Sequence, residues 1–392
     1  MSRGHYEKEQ AEVQPHSHYE MVLIFLGIFA TIFLLAWMIL QPGIQTPPVC
    51  AKSIRYEKVD DFLQRQLCVP AVGPDAGEAT RPAKTVYTLN DADVVAPKPR
   101  QECYGTARDP FELGPVLHRA EGLLDGQETL FSTSVDLQEE SEITYYLDDS
   151  IFAVAWKQVI DDCIYTFSEV KIAHPSQFRR FLADNRYGSA AQYTTTEMSA
   201  TVNAVVASSG DYYGYRSIGI VVDKGEVLRG RGHYLDTCYI DENGDLLFTH
   251  AGDITDLQTA QSFVEDHHVR FSLSFGPIMI MDGECCVPPK YNSGEINKRY
   301  ARAALCQLDK LHYLVVTANL EKPHYNVPTV KEFGTRLQEM GIPTAYALDG
   351  GQTAAIAMNN RLVNCVSYGA QREISDILYF ATALPEESEA EP

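Results

Sequence analysis

The sequence predicts a strand-rich α+β domain with a few packed helices, preceded by one transmembrane helix and an irregular stalk. Three observations predict it. Runs rich in β-branched and aromatic residues recur from Ile151 onward, separated by hairpin turn signals. Only a few segments carry apolar residues at helical spacing. Ahead of them, Met21 to Leu40 is an uncharged apolar run of 20 residues, the length that crosses about 30 Å of hydrocarbon.

Taken in order, residues 1–20 are polar, with four Glu and three His, and read as a solvated cytoplasmic tail. The run at 21–40 reads as a retained single-pass anchor. A cleaved signal peptide is the rival, but the run exceeds the usual apolar core of such a peptide and no A-x-A site follows. Arg3 and Lys8 precede the span while Lys52, Arg55 and Lys58 follow it, so flanking charge does not set the orientation. Residues 41–115 are broken by Pro70, Pro74, Pro82, Pro97, Pro99 and Pro110 and read as a stalk, with one short helix around 59–66. The folded domain is expected over 116–385. Within it, Ile151–Trp156, Cys163–Ile172 and Leu311–Thr317 read as strands, and Ser176–Asn185 as a helix capped by Ser176. Hairpins are expected around Asp223-Lys224-Gly225 and at Asn243-Gly244, the latter as a type I′ turn. Residues 386–392 form an acidic tail.

The chain has 392 residues and a formal net charge of −21, with no basic stripe, which excludes a nucleic-acid partner. All nine cysteines follow the apolar run, and no CxxC pair supports a structural zinc site. Disulfides suit an external location. The odd count leaves one thiol over, and buried cysteines acting as small hydrophobes account for most of them.

The most informative stretch is Ala345-Tyr-Ala-Leu-Asp349-Gly-Gly-Gln-Thr353. An apolar run delivers one carboxylate into two glycines and then a hydroxyl. A polar group just past a strand end stands where ligands usually bind, and the glycines let a substrate approach the backbone. The other reading is a tight turn whose Asp caps the next segment. Upstream, Thr329 and Glu332 fit a capping box, Val330, Phe333, Leu337 and Met340 form one apolar stripe, and Gly341 with Pro343 ends the helix. Helix, strand, carboxylate and Gly-Gly thus make a rigid scaffold for Asp349.

Four further segments share this grammar: Ser209-Gly210-Asp211-Tyr212-Tyr213, Phe275 to Gly283 with Asp282, Arg302 to Cys306, and Arg372 to Phe380. Each alone has a structural explanation. In this order, over about Tyr165 to Phe380, they resemble the phosphodiester glycosidase family. Ser209 stands where that family commonly has Asn, and Gln352-Thr353 replaces the usual Gly-Ser. The resemblance implies strand-rich mixed sheets with a few packed helices, an extracytoplasmic domain, and hydrolysis of sugar-1-phosphodiesters in envelope or host glycans.

That chemistry fits the residue types. Arginine grips phosphate through its planar fork, and carboxylates serve an oxocarbenium-like transition state. Asp349 and Asp211 are therefore expected as the acidic pair and Arg302 and Arg372 as the phosphate clamp. Gly350, Gly351, Gln352, Thr353, Tyr212, Ser209 and Asp282 are expected to line the substrate. Which acid is nucleophile and which is base stays open, as does whether Tyr212 and Tyr213 stack on sugar or fill the core. Two other classes compete: a surface module that binds anionic glycans without turnover, and a phosphodiesterase in which the aspartates hold Ca²⁺ or Mg²⁺. No cofactor is otherwise implied.

Overall fold

The structure, a computed structural model, describes residues 88–134, 142–320 and 326–384. The expected cytoplasmic tail, apolar span, short helix at 59–66 and acidic tail all lie outside these residues. Among the described residues no helix is long and apolar enough to cross a membrane.

A nine-stranded sheet forms the centre. Its spatial order is Tyr104–Ala107, Ile143–Leu147, Ile151–Ile160, Cys163–Ile172, His312–Asn319, Arg302–Asp309, Thr344–Leu348, Ile278–Met281 and Glu284–Cys285. Both of its faces are covered, so Ile151–Trp156 reads as an unbroken apolar run. Phe152, Val154 and Trp156 pack on one side, and Ile151, Ala153 and Ala155 on the other. Helices Pro110–Leu124 and Val330–Glu339 cover the first side through Leu113, Leu117, Phe333 and Leu337. The second side packs on a five-stranded sheet, ordered Arg361–Leu362, Ile356–Met358, Val206–Ser209, Asp376–Phe380, Phe178–Leu182, and on a three-stranded sheet. Helix Thr195–Thr201 closes the outer face of the five-stranded sheet through Met198. Every strand pair among the described residues is antiparallel.

Three expectations need correction. The folded domain starts before residue 116: Val94 and Ala96 pack on the core, Tyr104–Ala107 is an edge strand, and a helix begins at Pro110. Pro110 was read as a breaker, but it sits at the first helical position behind the Asp109 cap, where its missing N–H costs nothing. The segment 176–185 is not a helix; Phe178–Leu182 is a strand buried along its whole length. Its period of two is masked because Arg179 and Arg180 are buried too. Arg179 donates to the Asp93 carbonyl at 2.6 Å and Arg180 to the Asp376 carboxylate at 2.8 Å. The Asn243-Gly244 turn is not type I′, since Gly244 has φ 85° but Asn243 is not in the left-handed region. The Asp241 carboxylate instead accepts from the amides of Asn243 and Asp245, at 2.9 and 2.8 Å. The Lys224-Gly225 hairpin does have two positive φ angles, 51° and 78°.

Phe178 stands at the join between sheets, with ring centroids of Phe380, Tyr313 and Phe271 at 4.6, 4.8 and 5.3 Å. Phe178→Ala should therefore cost about 3–5 kcal/mol, read as a lower urea midpoint with an unchanged slope. A loss below about 1 kcal/mol would show that the join is not close-packed.

Candidate active site

Strand Thr344–Leu348 runs between Arg302–Asp309 and Ile278–Met281 and ends by placing Asp349 beyond the sheet. The next residues fold tightly back. A Cβ on Gly350 would lie 2.4 Å from the Ala301 carbonyl, so only glycine fits this approach. Gly351, at φ 65°, donates its amide to the same carbonyl at 2.7 Å. The Thr353 hydroxyl donates to the Gly350 carbonyl at 2.7 Å and also interacts with Asp349. Gln352 ties its amide nitrogen to the Ala370 carbonyl at 3.1 Å, which fixes the segment leading to Arg372.

Asp349 is partly exposed but ringed by protein. Burial pushes its carboxyl up to about 6, against the opposing pull of the Thr353 hydroxyl, Arg372 and Arg216. Both arginines rest on aromatic rings. Arg372 lies 5.0 Å from the Tyr215 centroid and 5.8 Å from Tyr212. Arg216 lies 5.3 Å from Phe275 and 5.6 Å from Tyr212. Tyr212 and Tyr215 stack with centroids 4.5 Å apart. Cation–π contact of this kind holds a guanidinium without consuming its donors.

Asp211 is brought near Asp349 but not as a second reactive acid. Its carboxylate is fully buried; Oδ1 accepts from Arg216 Nη2 at 2.6 Å and Oδ2 from the Ser274 amide at 2.9 Å. Burial alone would raise its pKa, but Arg216, Arg180 and the Ser274 amide outweigh it and hold the group below its ordinary value. Asp211 thus corrects to a positioning residue for Arg216, whose Nη1 is further held by the Ser293 hydroxyl at 3.1 Å. Beneath it, Asp376 Oδ2 accepts from the Asp211 amide at 3.2 Å and from Arg180 Nε at 2.8 Å, with Arg180 Nη2 in ion-pair contact at 2.8 Å. Burial, with Asp211 adding to it, raises Asp376 to about 7 against the pull of Arg180. A Cβ on Gly210 would sit 2.5 Å from that Asp376 oxygen, which is why glycine precedes Asp211.

Three other expected site residues are placed elsewhere or occupied. Arg302 is buried and donates to the backbone carbonyls of Pro328, Gly294, Glu295 and Lys298, so no fork is left for phosphate. Burial lowers its pKa to about 10. Asp282 is exposed at the Ile278–Cys285 hairpin tip, where Gly283 bonds Pro343; that is the opposite end of strand Thr344–Leu348 from Asp349. Ser209 is buried in its strand with its hydroxyl unpaired. Tyr213 fills the core beside Leu182 and Val221, leaving Tyr212 as the ring that faces both arginines. Among the described residues no group of three or more His, Cys, Asp or Glu side chains is placed to hold a metal ion.

Arg216, Arg180 and Asp376 were missed. Asp376 follows Arg372 by four residues and lies inside a segment already singled out, while Arg216 follows Asp211 by five in the same Tyr-rich loop, just past the Ser209–Tyr213 segment. Arg180 carries no such signal.

Residues 197–381 match the profile of the phosphodiester glycosidase family. Among solved structures, similarity extends to a zebrafish N-acetylglucosamine-1-phosphodiester alpha-N-acetylglucosaminidase catalytic domain auto-inhibited by its pro-peptide. The two share 15% identity over 59% of this chain and 82% of that one, with a TM-score of 0.46. A hypothetical protein from Synechocystis shares 12% identity over 59% and 62% of the two chains, with a TM-score of 0.41. A protein from Burkholderia pseudomallei shares 12% over 56% and 75%, with a TM-score of 0.40. No curated protein matches the chain in sequence.

The raised pKa of Asp349 makes the site a stability cost. The folded state holds the Asp349 proton up to about pH 6 and the unfolded state only to about 3.9, so stability falls as pH rises between those values. Asp349→Asn should therefore be more stable than the parent by about 1–2 kcal/mol at pH 8, allowing for solvent screening, and not at pH 4. Equal melting-temperature differences at both pH values would contradict this burial of charge.

Proposed function

We propose that this chain, which carries a domain of the phosphodiester glycosidase family, hydrolyses sugar-1-phosphodiesters with Asp349 as its reacting carboxylate. One observation carries the reading. A single reachable carboxylate with a raised pKa stands past a strand end, flanked by two arginines seated on tyrosines.

Arg216 and Arg372 neutralise the phosphodiester and the charge it gains on departure. Tyr212 and Tyr215 support them and offer an aromatic edge to the sugar. A phosphate monoester leaves readily as an anion, so the carboxylate is needed at the anomeric carbon and not as an acid on the leaving oxygen. Whether Asp349 attacks directly or activates water, it acts ionised. Gly350 and Gly351 leave the approach to it open. The substrate class is an anionic glycan or N-acetylated amino sugar joined through phosphate.

With residues 21–40 read as an anchor, we propose that this domain lies on the extracytoplasmic side, facing envelope or host glycans; the resemblance of its motifs to the family, not the flanking charge, supports that side. Protease added to intact cells should then remove the domain; full protection would place it inside.

The purified full-length chain, incubated with the methyl phosphodiester of α-N-acetylglucosamine, should release free sugar. Asp349→Asn should lower kcat by roughly 10²–10⁴-fold. For the parent, kcat/KM should fall about tenfold per pH unit below pH 6 and level off above it, because only the ionised carboxylate works. Release of intact sugar-1-phosphate would point to cleavage at phosphorus. Binding without turnover would leave a glycan-binding module, and full activity in the variant would remove Asp349 from the chemistry.

A further inference from the structure

Arg216 also lines a second cleft, of about 970 Å³, whose wall is built by a sequence pattern that the reaction above does not use. The pattern is Arg229-Gly230-Arg231-Gly232-His233. Arg229 and Arg231 belong to strand Glu226–Arg231, paired with Gly219–Asp223 in the register Val221 to Arg229 and Gly219 to Arg231. Alternation along the strand puts both arginines on one face, and both line the cleft together with His233.

The glycines on the other face set the far wall. A Cβ on Gly230 would lie 2.7 Å from Leu257 Cα, and one on Gly232 would lie 2.4 Å from the Ile254 carbonyl. Residues 254–257 therefore press directly on the strand, and Thr255, Asp256 and Leu257 form the opposite lip. Tyr187 and Tyr234 complete the lining, with Tyr234 55% exposed.

The charge of this cleft runs against that of the chain. Arg229 donates to the carbonyls of Gly219, Tyr213 and Arg216, at 3.2, 3.1 and 2.6 Å, and so fixes the loop that carries Arg216. Its charge meets no carboxylate within ion-pair distance among the described residues. Arg231 is exposed and makes one long contact, 3.4 Å, to the Ser217 carbonyl. The one acid on the lip, Asp256, already accepts from the Thr259 amide and hydroxyl at 2.9 and 3.0 Å. Arg229 and Arg231 bring two guanidinium charges against the one carboxylate of Asp256, while Arg216 is already paired with Asp211, so this concave site keeps a net positive charge on a chain whose net charge is −21.

We propose that this cleft is a subsite for a second anionic group, phosphate or pyrophosphate in chemistry, carried on the leaving side of the scissile phosphodiester. The proposal rests on the reading of Asp349, Arg216 and Arg372 given above, and it extends that site toward the aglycone. Arg216 is the common wall: its charge acts on Asp349, and the residue also lines the cleft. Arg231 and His233, being exposed, supply the direct contacts, while Arg229 contributes charge from behind.

The test uses the full-length chain, its Arg231→Gln variant and the Arg231→Gln/His233→Gln double variant. Both positions are exposed, and circular dichroism checks the fold. Two esters of one sugar are compared, the methyl phosphodiester and the methyl pyrophosphate diester. The ratio of their kcat/KM values should fall about tenfold in the double variant, as expected for losing charge-assisted contacts to one extra phosphate. Calorimetry with inorganic pyrophosphate should show a Kd at least about tenfold weaker in the double variant. An unchanged Kd overturns the subsite whatever the kinetics, and a weakened Kd with an unchanged ratio overturns its placement on the leaving side. If the parent cleaves neither ester, the hydrolase reading fails, and the pyrophosphate titration alone decides the subsite.

Discussion

The ion pair between Asp211 and Arg216, sealed beneath Tyr212, is the constraint on which the site depends. A buried charge pair is not a cheap source of stability, because desolvating both groups costs much of what their attraction returns. It does fix a guanidinium in place. With its Nη2 on Asp211, Nη1 on Ser293 and its face on Phe275 and Tyr212, Arg216 has one orientation, and that orientation brings its charge to Asp349. The second pair, Arg180 with Asp376, holds the Asp211 backbone from below. Two carboxylates so close share the field of two arginines, and the structure resolves the conflict by keeping Asp211 charged and raising Asp376.

The fold brings these groups together by lining up strand ends. Val206–Ser209 ends where its antiparallel neighbour Asp376–Phe380 begins, with Ser209 opposite Ile377. The loop after the first strand and the segment before the second therefore meet, which joins Asp211 to Asp376 and Tyr212 to Arg372. Thr344–Leu348 comes from the other sheet and delivers Asp349 to the same place. The packed join around Phe178 keeps the two sheets, and so the two halves of the site, in register.

Legibility followed how local each signal was. The strand-Asp-Gly-Gly unit was readable because its helix, caps and glycines are contiguous, and the close approach at Gly350 needs them. Arg302 misled because its position beside a strand start says nothing of where its donors go. Four carbonyls take them, those of Gly294, Glu295 and Lys298 in the irregular loop just before it and that of Pro328 further along the chain. Asp211 was placed correctly but given the wrong task, since its exposure is set by Arg216 and by Ser274, 63 residues away. The strand at Phe178–Leu182 was hidden by two arginines whose burial only their partners make tolerable. The family profile, over residues 197–381, takes in Asp211, Arg216, Ser274 and Asp376 but not Arg179 or Arg180.

A charged cleft beside a single reachable acid leaves one central claim: the phosphate sits between Arg216 and Arg372 with the anomeric carbon at residue 349. A crystal structure of the Asp349→Asn variant with an intact sugar-1-phosphodiester tests it most directly. The account predicts phosphate oxygens within about 2.7–3.2 Å of both guanidinium groups and the anomeric carbon about 3–3.5 Å from the residue 349 side chain or from one water held by it. A phosphodiester bound away from Arg372, or with its sugar turned from residue 349, would contradict it.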